Sequence, residues 1–142
     1  MAVQVRASTS ASRTIASLRG KDKTAYEQWL ARLKTQGCAA MKYRLAGERL
    51  NHLCVSHLHG TMRAVVRFES ATRAAIVAIG PHDRKSPNDI YTLLYAALGT
   101  EDPDDDRTKP DCCDSSGLPP IWQEAVDVVD QVDAIARRQR RR

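Results

Sequence analysis

Apolar positions recur along the chain with two periods, and the period changes where the elements change. Val3 and Val5 alternate with Gln4 and Arg6, which predicts a short first strand, and Ser8 to Ser12 offers several helix caps. A short helix through Ile15 and Leu18 follows. It should stop at Gly20, which can take the left-handed conformation that ends helices. From Asp22 the spacing becomes three and four: Tyr26, Trp29, Leu30 and Leu33 form one apolar helical face, Lys23, Arg32 and Lys34 lie elsewhere, and Gly37 is the expected stop. Leu50 to Leu58 returns to a period of two, with Leu53 and Val55 on one face and His52, Cys54 and Ser56 on the other. After the turn His59-Gly60-Thr61, the strand Met62 to Glu69 puts Arg63, Val65 and Arg67 on one side and Met62, Ala64, Val66 and Phe68 on the other. Ala74 to Ile79 is continuously apolar, as expected of a central strand covered on both faces, and Gly80-Pro81 ends it. Asp89 to Leu98 is the last helix of this part, with Ile90, Leu93, Leu94 and Ala97 as its stripe.

The order strand, helix, helix, three meandering strands, helix predicts an α+β fold. Its antiparallel sheet should have about four strands, with two helices packed on one face and the other face, bearing Arg63 and Arg67, partly open. Residues 1–99 make up that domain. Residues 100–118, rich in Asp and Pro, predict a flexible linker. Residues 119–142 begin with Pro119-Pro120 and continue as a C-terminal helical extension, with Trp122, Ala125, Val126, Val129 and Val132 in one stripe and Asp127, Asp130 and Asp133 beside it. A basic tail from Arg137 closes the chain.

Charge alters this picture more than composition does. The net +5 conceals 15 Lys and Arg against 6 Asp and Glu in residues 1–99, and 7 against 11 in residues 100–142. A basic domain of about 100 residues suits a polyanionic partner. No run of about 18 apolar residues occurs, so no membrane span is expected, and the N-terminus lacks the apolar centre of a secretory signal; a cytoplasmic protein is the expectation. Cys38, Cys54, Cys112 and Cys113 show no paired C-x-x-C spacing, and adjacent Cys112 and Cys113 make a poor metal clamp, so all four read as reduced thiols.

Five segments in order then carry a family resemblance: Tyr26-Glu-Gln-Trp-Leu-Ala-Arg-Leu, Lys42-Tyr-Arg-Leu-Ala-Gly, Gly60-Thr-Met-Arg63, Ile76-Val-Ala-Ile-Gly80, and the polar loop to Tyr91. Over most of residues 2–99 the chain resembles the RelE/ParE superfamily of bacterial type II toxins, and looks most like its RelE-like ribonuclease branch. The resemblance implies a fold like that of microbial ribonucleases, a toxin that cleaves messenger RNA in the ribosomal A site, and neutralisation by a cognate antitoxin. It implies no cofactor and no metal. In such enzymes the RNA 2′-hydroxyl attacks the adjacent phosphate, which leaves a cyclic phosphate and a free 5′-hydroxyl. That reaction needs a base, an acid and cations for the transition state.

By the same resemblance Arg63 is the transition-state arginine, Tyr91 the phenol used in proton transfer or base stacking, with Tyr95 a competitor, and His82 and Arg84 the loop residues for acid-base work and phosphate contact. Lys42, Arg44, His57 and Arg67 are the RNA-binding candidates. The departure lies upstream of Arg63, where relatives carry two alternating lysines and this chain has Cys54, Ser56, His57 and His59; His57 could replace a lysine as proton acceptor, unless a one-residue slip turns it to the other face. The C-terminal stripe could cover the chain's own basic groove, form a homodimer, pack against an antitoxin, or dock elsewhere. Two other readings stay open: a ParE-like inhibitor of DNA gyrase, and a basic module that binds nucleic acid without cutting it.

Overall fold

One hydroxyl ends the first strand and starts the first helix. Ser8 follows β1 (Gln4–Ala7); its Oγ accepts from the Ala11 N–H at 2.9 Å, capping α1 (Thr9–Ser17), and donates to the Val77 carbonyl at 2.8 Å. Gly20, at φ +57°, separates α1 from α2 (Gly20–Gln36), and Gly37, at φ +62°, ends α2 and opens a short 3₁₀ turn (Gly37–Ala40). In this computed structural model, which describes residues 2–45, 52–83, 89–98, 110–121, 133–134 and 137–138, the remaining elements are β2 (Tyr43–Arg44), β3 (Leu53–His57), β4 (Met62–Ser70), β5 (Arg73–Pro81) and α3 (Ile90–Leu98).

The fold is α+β, but the sheet corrects two expectations. It has five strands in the order β1-β5-β4-β3-β2 rather than about four, and it is mixed: β1 runs parallel to β5, with Val5 opposite Ala74, while the other neighbours are antiparallel. A period of two identifies the face a residue occupies, not the direction or neighbour of its strand. The two-residue β2 is too short to show a period at all.

Helices α1 and α2 cover one face, as expected. Trp29 and Leu33, both fully buried, meet Cys54, Ala64, Val66 and Phe68 there. Burying side chains of this size stabilises by roughly 1.5–3 kcal/mol each. The other face is covered too, against the expectation of a partly open one. Ile90, Tyr91, Leu94 and Tyr95 of α3 pack on Tyr43, Leu53, Val55, Val65 and Val77. A register shift between Val65 and Val66 sends both Val77 and Ala78 to this α3 face, while Ile76 and Ile79 stay with the other core.

The cysteines overturn a fourth expectation. None is a free thiol: Cys38 is bonded to Cys113, with Cα atoms 5.4 Å apart, and Cys54 to Cys112, at 5.7 Å. The sheet turns Cys54 towards the α1/α2 side and the 3₁₀ turn brings Cys38 beside it, a proximity that spacing along the chain does not encode. Residues 110–118 of the expected linker are therefore tied down. The Pro110 carbonyl accepts from the Arg44 N–H at 2.7 Å on the outer edge of β2, and Cys112 is 2% exposed. Asp114 closes the following turn by accepting from the N–H groups of Ser116 at 2.8 Å and Leu118 at 3.0 Å. The rest of that linker, 100–109, and the C-terminal stripe from Trp122 to Val132 lie outside the described residues. Asp133 is described, and its carboxylate accepts from the N–H groups of Thr9 at 3.1 Å and Ser10 at 2.9 Å at the start of α1.

Candidate active site

The antiparallel register brings together three strand ends. Arg63 near the start of β4 lies opposite His57 at the end of β3 and Gly80 near the end of β5, so His82 emerges beside them, its N–H bonded to the Thr61 carbonyl at 2.9 Å. On β2, Tyr43 pairs with Val55 and so shares the face of His57. Helix α3 then lays Tyr91 across this corner.

Two hydrogen-bonded chains meet there. In the first, Lys42 Nζ lies 3.2 Å from His57 Nδ1, His57 Nε2 lies 3.4 Å from the Tyr43 hydroxyl, and that hydroxyl lies 3.0 Å from the Tyr91 hydroxyl. In the second, His82 Nδ1 lies 2.9 Å from Asp89 Oδ1. Each oxygen of this buried carboxylate accepts from two donors: Oδ1 from His82 and the Asp83 N–H, Oδ2 from the Thr92 N–H and Thr92 Oγ1. The rings of His82 and Tyr91 stand edge to face with centroids 4.5 Å apart, which joins the chains, and Tyr95 stacks on Tyr91 with centroids 6.3 Å apart.

The protonation states follow from these surroundings. Burial opposes ionisation of Asp89, but the donated hydrogen bonds of His82, Thr92 and Asp83 outweigh it and hold the carboxyl below its ordinary range. Tyr91 moves the other way. Burial first, then the hydrogen bond and charge of Tyr43, push the phenol far above its ordinary value, and Arg63 only partly offsets them. The phenol therefore stays protonated around neutral pH, so the resting group is a proton donor and not a base. Its ring also contacts those of His82 and Tyr95 and is 8% exposed, which leaves little of it for stacking on a nucleobase.

Arg63 Nη1 donates to the carbonyls of Gly60 at 3.0 Å and Met62 at 3.1 Å, which curls the guanidinium under the β3–β4 turn. Its Nε is buried and has no acceptor among the described residues. Arg67 occupies the same face two residue pairs further on, opposite Leu53 and Ala75, and so stands away from the corner. Arg44 pairs with Cys54, on the opposite face, where its N–H holds Pro110. Arg84 lies outside the described residues. His59, in the β3–β4 turn, pairs with Asp22 at 3.0 Å in solvent.

The sequence reading did not assign Asp89 or Tyr43 to the site. Asp89 had a legible signal: an Asp immediately before an apolar helical stripe is a helix cap, and its side chain then faces whatever precedes the helix. Tyr43 had none, because its strand is two residues long. Among the described residues, no cluster of three or more His, Cys, Asp or Glu side chains could hold a metal ion, and no helix is long and apolar enough to cross a membrane.

No family model matches the chain, and no curated protein does. Among solved structures, one chain of the RelBE2 toxin–antitoxin complex from Mycobacterium tuberculosis aligns with a TM-score of 0.48 and 22% sequence identity, over 57% of this chain and 99% of that one. The chemistry available to the corner rests on its own residues.

Proposed function

We propose that the chain is a metal-independent endoribonuclease of the RelE-like toxin kind, which cuts messenger RNA at the ribosomal A site, blocks translation and is restrained by a cognate antitoxin. The observation that carries this reading is the convergence of Arg63, His82 and Tyr91, from three separate elements, on one corner of a basic domain. Two proton-transfer groups beside a permanently charged, fork-shaped cation are what attack by a 2′-hydroxyl on its own phosphodiester requires. Residues 1–99 form the nuclease domain in this reading, 119–142 are an appendage to it, and Arg84 is a further phosphate contact.

The test is incubation of the purified protein with an RNA oligonucleotide in the presence of a chelator. The products should carry a 2′,3′-cyclic phosphate and a 5′-hydroxyl, and Arg63→Ala should slow cleavage about 10²–10³-fold, the usual loss when a transition-state donor is removed. In cells, induction should arrest growth and generate matching 5′ ends. Intact messages during continued translation would sink the toxin reading.

The paired cysteines favour a second setting for the same chemistry. Disulfides persist in oxidising compartments and are rare in the cytosol, so two bridges suit a ribonuclease that works outside it and needs no ribosome. Acid trapping of thiols in expressing cells separates the two. Alkylation of four thiols supports the cytosolic toxin, and alkylation of none supports the secreted enzyme.

A further inference from the structure

The two hydrogen-bonded chains fix the position of the ring proton on both histidines. A lysine ammonium only donates, so His57 Nδ1, 3.2 Å from Lys42 Nζ, is the acceptor, and the ring proton sits on Nε2. Nε2–H then donates to the Tyr43 oxygen, which lies 3.0 Å from the Tyr91 hydroxyl. Tyr91 is thus anchored through its hydroxyl to a chain that ends on a cation, while burial keeps the phenol neutral and so supplied with a proton.

The second chain fixes the other imidazole. Asp89 is ionised and only accepts, so the His82 proton sits on Nδ1, and Nε2 presents a lone pair. Asp89 is also engaged on both oxygens, capping α3 through Thr92 with one and orienting His82 with the other, so the imidazole is held to the helix that carries Tyr91. The rings of the two groups are in contact at 4.5 Å.

We infer that the two chains divide the reaction, on the reading of the chain as a ribonuclease: His82, positioned by Asp89, takes the 2′-hydroxyl proton, and Tyr91, positioned by Tyr43, His57 and Lys42, delivers a proton to the leaving 5′-oxygen. The bond from O2′ to phosphorus forms, the bond from phosphorus to O5′ breaks, His82 becomes imidazolium and Tyr91 phenolate. Tyr91 then takes a proton from solvent and His82 returns its own, so both chains end with their protons where they began. Asp89 and Tyr43 are positioning residues, and neither changes its net protonation over the cycle.

The experiment compares two RNA substrates in the full-length protein, one ordinary and one with a 5′-bridging sulfur whose thiolate leaves without a proton. Tyr91→Phe should slow cleavage of the ordinary bond about 10²–10⁴-fold, the range for losing a general acid, and should cost little on the sulfur substrate. His82→Gln should be slow on both. Asp89→Asn keeps a helix-capping oxygen but offers an amide where His82 now meets a carboxylate, so it should lower kcat at unchanged KM and displace the acidic limb of the pH–rate profile.

Sulfur rescue of His82→Gln in place of Tyr91→Phe overturns the assignment, as does an Asp89→Asn profile identical to that of the wild type. Nitrogen-15 NMR of the histidine rings provides a readout without turnover. His82 should carry its proton on Nδ1 and His57 on Nε2, and the reverse in either ring refutes the inference. If the wild type cuts no RNA, the ribonuclease reading fails, whereas ring tautomers are settled by NMR alone.

Discussion

Replacing Cys112 and Cys113 together by alanine removes both bridges and releases the C-terminal segment from the sheet. The cost can be worked from the loops the bridges close. Cys54 to Cys112 spans 58 residues, and a cross-link of that length lowers the entropy of the unfolded chain by an amount worth about 4 kcal/mol. The second bridge spans 75 residues along the chain, but it does not close a fresh loop of that size. With the first in place, its path runs from Cys38 to Cys54, across the existing bridge, and on from Cys112 to Cys113, a ring of about 17 residues worth about 3 kcal/mol. The double variant should therefore lose up to about 7 kcal/mol, and each single variant about 3, so the double exceeds the sum of the singles by about 1 kcal/mol. A loss of about 7 kcal/mol rivals the whole stability of an ordinary domain. Urea unfolding followed by tryptophan fluorescence measures it, since Trp29 is fully buried, with wild-type protein in oxidised and reduced form as the paired control. An unchanged midpoint on reduction, or four reactive thiols in the native protein, would refute the covalent attachment.

The remaining expectations concern the core, the caps and pH. Trp29→Ala removes the largest fully buried side chain of the α1/α2 side and should cost about 3–5 kcal/mol by chemical denaturation. Ser8→Ala takes away both the cap of α1 and the bond to the Val77 carbonyl, and should cost about 1–2 kcal/mol in the same assay. Burial, and then the charge of Arg67, lower the His52 pKa to about 4, below its unfolded value near 6.5, so the unfolded chain holds the extra proton between those limits. Stability should accordingly fall as the pH drops from about 6.5 to about 4, by at most about 1.4 kcal/mol per pH unit for one proton, and His52→Gln should flatten a plot of Tm against pH in that window.

Elements with a long period were legible in the sequence. Met62 to Glu69 became β4, Met62–Ser70, and the stripe of Tyr26, Trp29 and Leu33 became the buried face of α2, because eight or more residues repeat a pattern that only one geometry satisfies. The relation between elements was not. His57 shares a corner with Arg63 through a register that the sequence left uncertain by one residue, and the disulfides join positions that no spacing connects. In the sequence Asp89 reads only as the start of a helix; in the structure it also holds His82, since a capping side chain folds back across the preceding loop. Arg44 misleads for a related reason: beside Tyr43 in sequence, it lies on the other face of its strand.

Parallel pairing of β1 with β5 also constrains the order of folding. His57 and Arg63 are register partners six residues apart across a tight turn, so β3, β4 and then β5 can assemble from local contacts. Gln4 must wait for Arg73, on the far side of both long helices and the whole hairpin. Closing so large a loop is slow relative to hairpin formation, and it raises the contact order of the domain towards that of mixed α/β proteins, which fold more slowly than helical bundles. During synthesis the first strand to leave the ribosome is thus the last to enter the sheet, and a chain stalled before residue 73 would expose β5's apolar neighbours to any other strand within reach.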